Sequence, residues 1–178
     1  MSIANTTIGG LGMRIGKTTT TKDTRGAKVI DHPMVGKLGP NAIDLSPEEF
    51  RGLLKGRRGA IKTFLLDQDR MAGIGNVYVH TPLWKAKIHP LRPIPTLTDD
   101  EIAALWQALR EVLQGSIDAG GAPFELNLYG QKGGWDDPYL FHWEEGAPCP
   151  VCGTGLVKIR TGARGATSAR GARSCREG

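Results

Sequence analysis

Cysteine, aromatic side chains and long apolar runs are all scarce in this sequence. Its 178 residues include three cysteines and only 6% aromatic residues. Three cysteines are too few for a disulfide scaffold, and two of them form a C-x-x-C motif, which favours a reduced compartment and a metal site. No run of about 18 apolar residues is present to cross a membrane, and residues 1–16 lack the pattern of a signal peptide. We therefore expect a cytoplasmic protein.

The excess of positive charge is small. The chain has 23 Lys+Arg against 18 Asp+Glu, which gives a formal net charge of +5. This balance slightly favours a polyanionic partner, but many basic proteins bind none, so charge alone assigns no function. The length allows one domain or two small ones, and 39% hydrophobic residues are enough for a modest core.

The most informative run is residues 61–89. Apolar residues recur at helical spacing on both sides of a polar stretch that ends in G-I-G-N at 73–76, which predicts a helix, a double turn and a second helix. Glycines at the start of the second helix would let a ligand approach the backbone, and the N–H groups of its first turn would attract an anion. We predict a phosphate site that Asn76 completes with amide hydrogens and Lys62 with a positive charge. An ordinary helical turn beside a solvated lysine is the alternative.

The flanking residues predict further helices. Ser46 and Glu49 have the spacing of a capping box that opens one helix, and Thr98 and Glu101 open a longer one from about Asp99 to Ala119. Two glycines, at 120 and 121, would end the long helix. Residues 1–31 predict at most two short strands, at 8–15 and 28–30, and residues 38–40 predict the start of a linker.

Several segments resemble the formamidopyrimidine-DNA glycosylase and endonuclease VIII family. They are L-G-P-N at 38–41, I-K-x-F-L-L-D-Q at 61–68, A-G-I-G-N-V-Y at 72–78, L-W-K-A-K-I-H-P-L-R at 83–92, D-A-G-G-A at 118–122 and C-P-V-C-G-T at 149–154. The resemblance extends from residue 23 to the C-terminus. It implies a mainly α fold: a short β remnant at 1–37, a helix-two-turn-helix domain at 38–135 and a zinc-finger-like β-hairpin at 140–178.

The resemblance also implies residue roles. Lys62 and Asn76 match the lysine and asparagine that hold the phosphate beside the lesion in that family, and Gly75 and Tyr78 lie in the same DNA-binding motif. The family usually has an acidic residue at the position of Thr81, so the resemblance transfers no role of that carboxylate to this chain.

Two arginines are further candidates for DNA contact. Arg25 lies in a loop that resembles the one filling the hole left by a flipped base, and Arg164 is our choice for the hairpin arginine that enters the DNA groove. A disordered basic tail that binds phosphates without fixed geometry explains the C-terminal arginines equally well.

The predicted zinc site is incomplete. Cys149, Cys152 and Cys175 supply three thiolates, whereas Gly178 stands where the family's final cysteine would fall. A solvent molecule or Glu177 could complete a structural zinc site, or the chain binds no zinc.

The leading functional hypothesis is the DNA-binding part of a base-excision-repair glycosylase and AP lyase that acts on oxidised bases. Its partner would be double-stranded DNA with damaged bases or abasic sites, and we expect a monomer without membrane contact. The family's amino-terminal proline nucleophile has no counterpart here, because Ser2 follows Met1, so we expect the chain to be inactive alone. The alternatives are a complete enzyme with an atypical nucleophile and an RNA-binding or ribosome-binding helix-two-turn-helix module.

Overall fold

The computed structural model describes residues 7–8, 13–14, 36–136, 145–148, 153–161 and 164–169. The described elements are mainly helical, as predicted. Near the N-terminus, β1 (Thr7–Ile8) pairs antiparallel with β2 (Met13–Arg14). The predicted single strand at 8–15 is therefore wrong, since these residues contribute to two paired strands. The strand predicted at 28–30 lies outside the described residues.

The first helix, α1 (Pro47–Leu54), begins as its sequence predicts. The Glu49 amide donates to the Ser46 hydroxyl, and the Ser46 amide donates to the Glu49 carboxylate at 2.8 Å. This capping box satisfies two backbone donors that the first turn would otherwise leave unpaired. The helix buries Phe50 and Leu54 against the core.

Two short helices follow, α2 (Ile61–Leu65) and α3 (His80–Lys85). They are joined by residues 66–79, which we call the double turn. The polypeptide between α3 and the last helix passes through a 3-10 turn (Ile94–Thr96), consistent with the prolines at 90, 93 and 95.

The longest helix, α4 (Asp99–Asp118), supports the double turn and α3. Its capping box of Thr98 and Glu101 and its apolar stripe both match the prediction. Gly120 and Gly121 have positive φ values of 74° and 99°, which glycine adopts readily, and they follow the end of the helix. One core holds the helices together, and its most deeply buried members are Ile61, Leu65, Met71, Ile74, Val79 and Leu105.

The C-terminal described residues form a second pair of strands. β3 (Leu156–Thr161) runs antiparallel to β4 (Arg164–Ala169), and Pro148 forms an isolated bridge with Gly155. The assignment of this hairpin to a zinc finger stays a prediction. No helix within the described ranges combines the length and the apolar character needed to span a membrane.

Candidate nucleic-acid interface

The double turn is held in shape by the side chain of Gln68. Its amide nitrogen donates to the Ile74 carbonyl at 2.8 Å, and its oxygen accepts from the Gly73 amide at 3.1 Å. Gly73 has a φ of 97°, and a Cβ there would lie 2.8 Å from the Asn41 side chain. A larger residue at position 73 would therefore meet both backbone strain and a clash.

The segment at 38–41 belongs to this site and is not a linker, which corrects the sequence prediction. The Gly39 amide donates to the Gln68 carbonyl at 2.9 Å, and the Ala72 amide donates to the Pro40 carbonyl at 2.9 Å. Asn41 forms a parallel bridge with Ala72. These bonds satisfy backbone groups of the double turn that have no helical partner.

The second helix starts later than predicted. α3 begins at His80, whereas residues 76–79 form turns, and the Tyr78 amide donates to the Gly75 carbonyl at 3.2 Å. This bond spans three residues and not the four of an α-helix, because the chain is still turning after Gly75. The glycines at 73 and 75 therefore shape the double turn and do not form the first turn of a helix.

Gly75 and Asn76 are partly exposed at the end of the double turn. The Asn76 side-chain oxygen is buried and has no hydrogen-bond partner among the described residues. A buried acceptor without a partner is uncommon in proteins, so this oxygen calls for a hydrogen-bond donor such as a water molecule, which leaves the amide hydrogens for another acceptor.

Lys62 occupies an unexpected position. Its side chain is 0% exposed, whereas its predicted role requires the ammonium group to face a phosphate. Its Nζ lies 2.7 Å from Nε2 of His80 at the start of α3. Burial lowers the pKa of Lys62 from 10.5 to about 8, so the group remains mainly protonated at pH 7.

His80 is neutral at physiological pH. Burial is the main cause, and the nearby Lys62 charge is the second, of a pKa that is lowered from 6.5 to about 3. This residue was not among the predicted site residues. Its position beside Thr81 at the start of a short helix gave no signal, since a single histidine near a helix start has many ordinary roles.

Tyr78 lies in the core and is only 1% exposed. Its hydroxyl donates to the Glu125 carboxylate, and its ring centroid lies 5.3 Å from that of Trp135. Burial, followed by the contact with Glu125, raises the pKa of Tyr78 to about 12. The DNA contact predicted for Tyr78 stays a prediction, while the observed contacts of its side chain are with the protein itself.

The other predicted site residues are placed only in part or not at all. Arg164 begins β4, but the position of its side chain is not described. Arg25 and the cysteines at 149, 152 and 175 lie outside the described residues. Thr81 is 1% exposed, and its hydroxyl has no hydrogen-bond partner within the described part of the chain.

Comparison with protein families gives a match over residues 38–126 to the formamidopyrimidine-DNA glycosylase H2TH domain. Among curated proteins, the chain is 43% identical over 120 residues to a formamidopyrimidine-DNA glycosylase of Roseiflexus sp. (strain RS-1), covering 66% of this chain and 44% of that protein. It is 36% identical over 140 residues to a formamidopyrimidine-DNA glycosylase of Thermus thermophilus, covering 75% and 52%. The chain thus spans about half the length of the curated relatives it matches.

Solved structures give a consistent result. The crystal structure of the MutM (Fpg) protein from Thermus thermophilus is similar with a TM-score of 0.69 and 33% identity, over 82% of this chain and 56% of that one. A complex of Lactococcus lactis Fpg with DNA containing an abasic site has a TM-score of 0.70 and 30% identity, over 84% and 55%.

Proposed function

Because the chain belongs to the family of formamidopyrimidine-DNA glycosylase H2TH domains, we propose that it grips the phosphate backbone of damaged duplex DNA as the DNA-binding part of a base-excision-repair glycosylase. The observation that carries the proposal is the double turn. It presents the partly exposed Asn76 amide, and the buried ammonium group of Lys62 bonds to His80, which lies four residues after Asn76 in the chain.

The proposed grip has a direct and an indirect component. Asn76 and the backbone amide of Gly75 would donate hydrogen bonds to a phosphate oxygen. Lys62 would act through its electric field, because a charge beneath the surface is screened less than one in bulk water. Neither component reads bases, so the grip would be independent of DNA sequence.

The proposed substrate class follows from the relatives. Solved complexes of Lactococcus lactis Fpg contain abasic-site DNA or Fapy-dG DNA, and one MutM complex contains carbocyclic 8-oxo-G DNA. We propose oxidised bases and abasic sites in duplex DNA as the lesions for this chain. A protein that binds damaged duplex DNA acts where the chromosome lies. We therefore propose a cytoplasmic location.

A binding experiment with Asn76→Ala tests the proposed grip. Fluorescence anisotropy would measure the affinity of the full chain for a duplex with a tetrahydrofuran abasic site over a range of KCl concentrations. We expect Asn76→Ala to weaken binding to all duplex sequences by a similar factor and to leave the salt slope unchanged, because a neutral amide releases no counterion from the phosphate it contacts.

Gln114→Ala is the matched control, because this exposed amide on α4 bonds within its own helix to Asp118. Wild-type affinity of Asn76→Ala would contradict the assigned site. Stronger competition by duplex RNA than by duplex DNA would instead favour the RNA-binding alternative.

We also propose a structural zinc ion held by Cys149, Cys152 and Cys175. Thiolates are suitable zinc ligands, and the proposal is supported by the antiparallel bridge between Pro148 and Gly155, two residues that flank the C-x-x-C motif in the sequence. Arg164 at the start of β4 would then extend from the same hairpin toward DNA, and Arg25 would contact the duplex from the N-terminal region.

Metal analysis of the purified full chain tests the zinc proposal. We expect about one zinc per chain by mass spectrometry, and less in Cys149→Ser, because the loss of one thiolate weakens a structural site. Cys175→Ser should behave in the same way if this residue is a ligand. A metal-free wild-type protein that keeps its melting temperature in the presence of a chelator would refute the proposal.

A further inference from the structure

The contact between Lys62 and His80 links α2 to α3 with a defined hydrogen-bond direction. The Lys62 ammonium group has three hydrogens and no lone pair, so Nε2 of His80 must accept the bond, and the ring proton lies on Nδ1. The low pKa of His80, about 3, keeps this lone pair available at neutral pH. The imidazole is thus a neutral acceptor facing a buried cation.

We propose that His80 is a positioning residue that holds the Lys62 ammonium group at the start of α3, so that its charge acts on a phosphate bound at Asn76. This inference rests on the proposed DNA-binding function. The turns of residues 76–79 lead directly into α3, so the bond to His80 ties Lys62 to the segment that carries Asn76.

A fixed acceptor matters because a lysine side chain has many rotamers. Its four-carbon chain is flexible, and an acceptor on a neighbouring helix selects one arrangement of it. The Lys62 side chain is 0% exposed, so its ammonium group depends on such partners to offset the loss of water. Loss of His80 would therefore change the position of the Lys62 charge.

The neutrality of the acceptor is equally important. A carboxylate at the position of His80 would cancel the lysine charge, whereas a neutral imidazole takes one hydrogen and leaves a net charge of +1 on the pair. His80 thus fixes the position of the Lys62 ammonium group without itself reducing the charge of that group. A fixed position and an unreduced charge are the two properties that long-range attraction of a phosphate requires.

Binding of the same abasic-site duplex tests this role in the full chain with four variants: His80→Leu, His80→Gln, Lys62→Gln and the double variant Lys62→Gln/His80→Leu. We expect His80→Leu to weaken binding about fivefold, the effect of one lost hydrogen bond to a charged group. His80→Gln should bind within about twofold of wild type, since its amide oxygen can accept the same bond. The double variant should bind like Lys62→Gln, because His80 acts only through Lys62.

His89→Leu is the control, because it removes an imidazole from another part of the chain. In the wild-type protein the His89 ring accepts a hydrogen bond from the Leu91 amide at 3.2 Å. We expect His89→Leu to bind DNA like wild type. Nitrogen-15 spectra of the imidazole give an independent readout: Nε2 of His80 should be an unprotonated acceptor in wild type and should shift in Lys62→Gln. This readout does not depend on DNA and remains valid if His80→Leu folds poorly.

Three results would overturn the positioning role. They are a proton on Nε2 of His80, wild-type affinity in His80→Leu, and a double variant that binds about fivefold more weakly than Lys62→Gln. None of these results contradicts duplex binding by the wild-type protein, so the proposed function survives them. Absence of duplex binding by the wild-type protein, together with the expected His80 spectrum, would reject the proposed function instead.

Discussion

At the residue scale, burial determines the charges of Lys62 and His80. Lys62 remains mainly protonated at neutral pH, although burial lowers its pKa to about 8. His80 has lost its ability to take a proton near pH 6.5, because the proton would be desolvated and would face the lysine charge. At neutral pH the pair therefore carries a single positive charge, which lies on Lys62. A lysine and a histidine that lie apart on the surface would each titrate independently.

The acid stability of the protein should depend on His80. Its folded pKa of about 3 is below the unfolded value of 6.5, so unfolding takes up a proton at intermediate pH. Stability is then greatest above pH 6.5 and falls as the pH drops toward 3, by at most about 1.4 kcal/mol per pH unit. Urea denaturation between pH 4 and pH 7 should show a smaller decline in His80→Gln.

His89→Gln provides the comparison for this experiment, because it removes a different imidazole. We expect its acid decline to equal that of wild type. An equal decline in His80→Gln and wild type would show that His80 takes up its proton in the folded protein as well.

At the element scale, the double turn depends on close backbone approaches. Residues 38–41 lie along it, and a Cβ on Gly39 would be 2.4 Å from the carbonyl carbon and oxygen of Arg70. Carbonyl atoms of the backbone cannot move aside as a flexible side chain can. Position 39 therefore requires glycine for a steric reason. The backbone at Arg70, more than 25 positions further along the chain, leaves no room for a Cβ.

Gly39→Ala should destabilise the protein by about 1 to 3 kcal/mol, because the two backbone segments must separate to admit a methyl group. Chemical denaturation would measure the change. Gly52→Ala is the matched control: this glycine lies within α1 with no atom within 4 Å of an added Cβ, so alanine should stabilise the helix by about 0.5 to 1 kcal/mol. Equal effects of the two substitutions would contradict the close approach.

At the scale of the whole molecule, Tyr78 connects the double turn to the segment after α4. Its hydroxyl bonds to Glu125, while Gly133 packs so closely on Gly121 that a Cβ would lie 1.9 Å from the Gly121 carbonyl oxygen. The Trp135 amide also donates to that oxygen at 2.9 Å. These contacts hold the two ends of the segment 121–133 together next to the helical core. Tyr129, within this segment, is 84% exposed.

Tyr78→Phe should lower the free energy of unfolding by about 1 to 2 kcal/mol, because the partly buried Glu125 carboxylate loses a hydrogen-bond donor. Thermal unfolding followed by circular dichroism would measure the change. Tyr129→Phe removes a hydroxyl from an exposed ring and should leave the melting temperature unchanged. A stable Tyr78→Phe variant with weaker DNA binding would instead support the direct DNA contact predicted for Tyr78.

The sequence by itself determined the helices and the family resemblance. Capping boxes at Ser46 and Thr98 act within a single turn, and the apolar stripe of α4 has one period throughout, so both are readable from neighbouring residues. The glycines at 73 and 75 likewise predicted the double turn from neighbouring residues alone. That prediction placed the start of α3 too early, because glycine allows both a helix start and a continuing turn.

Tertiary structure alone decided the burial of Lys62 and its pairing with His80, which lie 18 residues apart. It also decided the contact of residues 38–41 with the double turn and the bond between Tyr78 and Glu125, 47 residues apart. A residue's exposure and partners depend on groups that the fold brings together from distant positions, and no local pattern encodes them. The charge of the candidate site is consequently a property of the folded chain, although each residue that forms it is visible in the sequence.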